Sequence, residues 1–147
     1  MMKRINCFIE LFPLFSFSLI GIQDIGNKES LDYIIQELNN PTIPSIKSSH
    51  HGKWKSILID IDGETNEYLG FIYDESIGIE FLKTSLLTIK CFSQLPYITT
   101  FRILNKIDLN FVNMFLKLQA SDEEKLLKAL PQMIQNTVGK NKFHFIQ

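Results

Sequence analysis

The chain has 147 residues, 45% of them hydrophobic and 21% charged, with a formal net charge of -1. That length supports one folded domain, so residues 1–147 are read as a single unit, and the composition excludes an intrinsically disordered chain. The near-zero charge excludes the global basic field of a typical nucleic-acid-binding domain, and two cysteines, Cys7 and Cys91, exclude a disulfide scaffold or a cysteine metal framework.

At the start, Lys3 and Arg4 precede an apolar run from Leu11 to Ile22, which has the outline of a secretory signal. Glu10 and Pro13 interrupt it, no small-x-small cleavage site follows, and the uninterrupted apolar stretch is shorter than the roughly 20 residues of a membrane span. The alternation Phe15-Ser16-Phe17-Ser18-Leu19 instead puts Phe15, Phe17 and Leu19 on one face of a strand. The expectation is therefore a cytoplasmic chain with no membrane span, the alternative being an exported chain whose residues 1–22 are a signal peptide.

Asn27 can cap a helix near 28–39, because Leu31, Ile34, Ile35 and Leu38 fall on one helical face and Asn39-Asn40-Pro41 ends the run. The stretch PTIPSIKSSHHGK, residues 41–53, has no periodicity and reads as a long surface loop. Ile57, Ile59 and Ile61 then alternate with polar or outward positions. After DGETN, Leu69, Phe71 and Tyr73 alternate in turn, which predicts a β-hairpin with Asp62-Gly63 in the turn. A third strand follows DESIG, with Ile77, Ile79 and Phe81 on one face, so the region reads as an antiparallel meander. LLTIKCF and ITTFRIL are two further β-rich runs separated at Pro96, and Ile107 to Leu118 begins with strand alternation. Ser121-Asp122-Glu123-Glu124 is a capping box that opens a second helix near 121–138, with Leu126, Leu127, Leu130, Met133 and Ile134 as its apolar positions.

The local chemistry is sparse. His50-His51 lack the i, i+4 spacing that puts two imidazoles on one helix face, and the Asp60-to-Glu64 run does not meet the register of a calcium loop. There is no GxSxG and no glycine-rich phosphate loop, Cys7 and Cys91 have no nucleophile signature, and His144 stands alone. No catalytic set, metal site or cofactor is expected from these residues. Lys53, Trp54 and Lys55 form a small basic patch with one aromatic, able to meet a phosphate or stack on a base. The strongest feature is electrostatic: Asp60, Asp62, Glu64, Glu67, Asp74, Glu75 and Glu80 lie in a segment without a single Lys or Arg. On hairpin turns and outward strand positions they would form an acidic rim that docks a basic partner.

Together these features predict an α+β fold: an antiparallel sheet of about five to seven strands, built on a central hairpin or meander, with two amphipathic helices on one face. The function expected from the rim is non-catalytic protein binding. The subtype would be a bacterial immunity or antitoxin-like protein that neutralises one basic effector, for example a nuclease toxin. The alternatives are a nucleic-acid-associated protein using Lys53, Trp54 and Lys55 with Lys140 and Lys142, or a secretion-chaperone-like escort protein.

Overall fold

Tyr68–Asp74 is apolar on both of its faces, and that property sets the architecture: Leu69, Phe71 and Tyr73 are buried on one side and Ile72 on the other. A strand buried twice needs a layer against each face. The computed structural model describes residues 17–47, 52–60, 68–86 and 97–113, with residues 128, 131 and 132. Its elements in chain order are β1 (Leu19–Ile25), α1 (Lys28–Asn39), the one-turn α2 (Pro44–Lys47), β2 (Trp54–Asp60), β3 (Tyr68–Asp74), a 3-10 turn (Glu75–Ile77), β4 (Ile79–Leu86), β5 (Tyr97–Ile103) and β6 (Ile107–Asn113). They form two antiparallel three-stranded sheets, ordered β1-β3-β2 and β4-β5-β6.

The layer between the sheets is aromatic. Phe101 of β5 is fully buried and meets Phe71, Tyr73, Phe81 and Phe111 edge to face, with ring centroids 5.2 to 6.1 Å apart. That geometry sets the positive edge of one ring against the negative face of the next. On the outer face of the first sheet, α1 packs Leu31, Ile34 and Leu38 against Ile25, Trp54 and Ile72. The helix begins where expected because Asn27, in extended backbone, accepts the Ser30 N–H at 2.9 Å and the Ser30 hydroxyl at 2.7 Å. It ends at Asn39, whose side chain then acts as a strand partner for β2: its Nδ2 donates to the Trp54 carbonyl at 2.9 Å and its Oδ1 accepts the Trp54 N–H at 2.8 Å.

This architecture corrects the sequence reading. The described residues are mostly β, in two packed sheets with one substantial helix, rather than two helices on one face of a single larger sheet. The hairpin of β2 and β3 forms, but the third strand does not extend it into a meander. Asp74 caps the 3-10 turn by accepting the Ser76 N–H at 2.9 Å, and Gly78 leaves that turn in the left-handed region at φ 84°, so β4 is redirected into the second sheet. Phe17 and Ser18 precede the opening strand, which begins at Leu19, while Phe15 and Ser16 of the expected alternation lie outside the described residues; Pro44–Lys47 of the expected loop forms one helical turn. The helix expected near 121–138, Cys7, Cys91, His50, His51 and His144 lie outside the described residues or, for 128, 131 and 132, are described only singly. Among the described residues no helix is long and apolar enough to cross a membrane.

Candidate functional site

The registers sort the strand termini into two ends. Ile25 and Asp60 both pair with Tyr68 in the first sheet, while Leu86 and Asn113 both pair with Tyr97 in the second. These two sets lie at the same end, because the Tyr97 hydroxyl donates to the Asp60 carbonyl at 3.1 Å and the Gln23 side chain reaches Asn113. At the opposite end the chain turns tightly: Leu104 N–H donates to the Gly78 carbonyl at 2.7 Å, joining the β5–β6 turn to the β3–β4 turn.

The first end holds the one interruption in the β1–β3 ladder. Ile22 pairs with Gly70 and Ile25 with Tyr68, so β1 spends one more residue than β3 over the same span. Such a bulge re-aims the side chains on either side of it and is enriched beside active sites. Its effect is visible in the packing, since Ile20, Ile22 and Ile25 all pack on the helix side although strict alternation would turn Ile25 away. The residues accommodated between them are Gln23 and Asp24, two polar residues in an otherwise apolar strand, LIGIQDI.

Facing the bulge from the second sheet is Asn113, the last residue of β6 and only 5% exposed. Its Nδ2 donates to the Ile22 carbonyl at 3.1 Å and to the Gly70 carbonyl at 3.1 Å, and its Oδ1 accepts from Gln23 Nε2 at 3.2 Å. A buried carboxamide needs such partners, since an unpaired one costs about 1–3 kcal/mol. The polar residues that the strands bring to this end are thus Gln23, Asp24, Asp60, Tyr97 and Asn113. Among the described residues no group of three or more His, Cys, Asp or Glu is arranged to hold a metal ion. By residue type the set is carboxylate and carboxamide, an oxygen chemistry that suits a hard cation such as Mg2+ better than zinc.

The residues singled out from sequence fall elsewhere for the most part. Asp60 is exposed at this end, and Asp62, Glu64 and Glu67 lie outside the described residues. Asp74 is not on a surface rim: it is 2% exposed and accepts the Lys53 N–H at 2.8 Å and the Ser76 hydroxyl at 2.6 Å. Glu75 lies at the opposite end and pairs with both Lys53 and Lys55, so members of the proposed acidic and basic sets neutralise each other. Hydrogen bonds from Lys53 and then Lys55 hold the Glu75 carboxyl below its ordinary value, and the Glu75 bond raises the Lys55 ammonium. Trp54 is buried under α1, while Glu80 is exposed on β4 opposite Arg102. Gln23, Asp24 and Asn113 were not singled out from sequence. The available signal was a polar pair inside an apolar strand, directly before Gly26-Asn27.

This two-sheet arrangement is a known fold. The chain superposes on TDP2 of Caenorhabditis elegans with a TM-score of 0.65 at 10% identity, covering 95% of this chain and 38% of that one. It superposes on a humanized D. rerio TDP2 with a TM-score of 0.62 at 12% identity, covering 92% of this chain and 50% of that one. A third structure, D. rerio TDP2 complexed with single strand DNA product, gives a TM-score of 0.60 at 13% identity, over 92% of this chain and 49% of that one. No protein-family model matches the chain.

At the level of sequence the similarity is to the protein called "Endonuclease/exonuclease/phosphatase family domain-containing protein 1". The Xenopus laevis protein is 32% identical over 114 residues, which is 69% of this chain and 20% of that protein. The Danio rerio protein is 33% identical over 75 residues, 47% of this chain and 14% of its own length. The chain thus spans about a fifth or less of these curated relatives and no more than half of the solved structures. These likenesses overturn the expectation of a non-catalytic immunity or antitoxin-like inhibitor, and with it that of a chain outside enzymology. The sequences and the fold that it resembles are not those of toxin inhibitors.

Proposed function

We propose that this chain is a nuclease or phosphodiesterase-type domain that acts on phosphoester bonds, with its site at the end of the sandwich where the β1 bulge meets β6. The observation that carries the reading is the 32% identity over 114 residues to a protein named for an endonuclease/exonuclease/phosphatase domain. The fold shared with TDP2, in one case complexed with single strand DNA product, agrees with it.

Hydrolysis of a phosphodiester requires a water aligned opposite the leaving oxygen and positive charge or donors around the phosphate oxygens. The chain's net charge of -1 gives no general attraction for such an anion, so the charge must be supplied locally. Asp24 is the residue proposed for the central role, as a carboxylate that binds Mg2+ or orients the attacking water. Gln23 precedes it in the chain, and Asp60 is a second acidic residue at the same end. Mg2+, when bound, contributes positive charge to the phosphate oxygens.

The test is hydrolysis of a 5′-labelled single-stranded oligonucleotide and of bis(p-nitrophenyl) phosphate by the full chain, with Mg2+ and with EDTA, against Asp24→Asn. The expected result is turnover that EDTA abolishes and that Asp24→Asn lowers on the order of 100-fold or more. Equal turnover by the chain and by Asp24→Asn, on both substrates, refutes the assignment.

A further inference from the structure

We infer that Asn113 is the positioning residue of this site: it fixes the Gln23–Asp24 bulge of one sheet from the end of a strand in the other. The inference rests on the proposed phosphodiesterase reading of this end of the sandwich. Three observations carry it. Asn113 is buried, and all three of its described hydrogen bonds converge on one place, the Ile22 carbonyl, the Gly70 carbonyl and the Gln23 side chain. Ile22 and Gly70 are themselves register partners, the last regular pair before the bulge, so the amide grips both strands where their own ladder breaks. Gln23 is the neighbour of Asp24 in the chain, so the third bond holds the residue next to the proposed carboxylate.

The chemistry of the grip explains the residue type. Two carbonyl oxygens and one amide N–H have to be met from one side chain, and a carboxamide supplies two donors and an acceptor. The substitution Asn113→Asp would set an acceptor against both carbonyls, and an aliphatic side chain would leave them without a donor. A misplacement of about 1 Å at a reacting group can cost on the order of 100-fold in rate, so loss of the grip should appear in turnover.

The experiment uses the full chain and the variants Asn113→Asp and Asn113→Ala, the second guarding against an electrostatic failure of the first to fold. Steady-state kcat and KM on the single-stranded oligonucleotide are measured together with amide hydrogen exchange. The expected result is a kcat lower by on the order of 100-fold with KM changed less than about threefold. Faster exchange should be confined to residues 22–25 and 68–70, while the β4–β5 ladder stays protected. Wild-type kcat in either variant overturns the inference, as does a loss of protection spread evenly over both sheets, which would assign Asn113 to the fold as a whole. If the chain itself fails to outpace Asp24→Asn, the reading of the reaction falls. The exchange pattern then still decides the clamp, local loosening supporting it and unchanged exchange overturning it.

Discussion

Replacing Gly70 by alanine tests whether close approach of three elements fixes the bulge. A Cβ at this position would lie 2.8 Å from Ile25 Cδ1 and 2.9 Å from the Ile57 carbonyl oxygen. The first contact is the tip of a flexible side chain and can rotate away. The second is backbone of β2, held in register by the pairs Ile57 to Phe71 and Leu58 to Gly70, so β2 must shift as a strand. Forcing extra volume into such a place costs about 1–3 kcal/mol. Against this, alanine restricts the unfolded chain and recovers about 0.4–1 kcal/mol. The clash outweighs that gain, and the expected net loss is about 1–2 kcal/mol. With a urea dependence of roughly 1.5 kcal/mol per molar, the denaturation midpoint of Gly70→Ala should fall by about 1 M. Because the Gly70 carbonyl also accepts from Asn113, turnover should fall further than stability accounts for. An unchanged or higher midpoint would refute the reasoning, since the restriction of the unfolded chain would then outweigh the contact with β2.

Four further changes probe the frame around the site. Phe101→Ala removes the ring on which four aromatic contacts converge and should cost about 3–5 kcal/mol by urea melting, whereas Phe81→Ala, at a half-buried position with one of those contacts, should cost less. Burial pushes the Glu37 carboxyl up, but the Thr42 N–H and hydroxyl, the Ile43 N–H and the Lys47 charge outweigh it and hold the group below its ordinary value. Because its folded value is the lower one, Glu37 contributes stability that is fully present above the ordinary carboxylate range and is lost as pH falls through the folded value. Urea midpoints taken from about pH 7 to about pH 3 should therefore decline more steeply for the wild type than for Glu37→Gln, and parallel curves would contradict this. Leu104 occupies the left-handed region at φ 50° with 59% of its surface exposed, so Leu104→Asn should raise the melting midpoint, by up to about 1 kcal/mol of stability. A lower midpoint would mean that the Leu104 side chain lying over Gly78 is worth more than the strain.

Local structure was readable where one face of an element decides its pattern. The α1 helix shows this, since Leu31, Ile34 and Leu38 repeat at helical spacing and Asn27 caps it. The hairpin of β2 and β3 was readable for the same reason. The partition into two sheets was not, because β3 is apolar on both faces and a run without alternation does not say how many layers cover it. The switch of β4 to the second sheet depends on three residues of 3-10 turn and on a left-handed Gly78, which resemble an ordinary hairpin turn in sequence. The proposed site was missed on a different ground. Charge density drew attention to the segment from Asp60 to Glu80, yet Asp74 is spent on capping and Glu75 on two lysines, so two of the four described members of that cluster are engaged in structure. Asn113 could not be found by charge or by short-range pattern, because its three partners are 43, 90 and 91 residues away in the chain.

One signal of the site was nevertheless present in the opening strand. Apolar residues that pack on the helix side stand at Ile20, Ile22 and Ile25, a step of two followed by a step of three. A regular strand cannot bury all three on one face, so the longer step requires an extra residue and names its position, at Gln23 or Asp24. Had the strand continued regularly, Ile25 would turn toward the second sheet and α1 would lose one of its buried contacts. The helix therefore holds the bulge in place from outside while Asn113 holds it from inside, through the Ile22 and Gly70 carbonyls and the Gln23 side chain. Such support is what a precise reacting group needs, because side chains fixed by strands and buried hydrogen bonds wander less than those carried on exposed turns. Deleting Asp24 should accordingly remove the bulge and spare the helix: the chain then steps by two from Ile22 to Ile25, so Ile20, Ile22 and Ile25 still face α1 and Ile25 still meets Tyr68, while the site loses its extra residue. Amide exchange over residues 28–39 reads this directly: α1 protection equal to that of the unaltered chain is expected, and a loss of protection there would contradict the register argument.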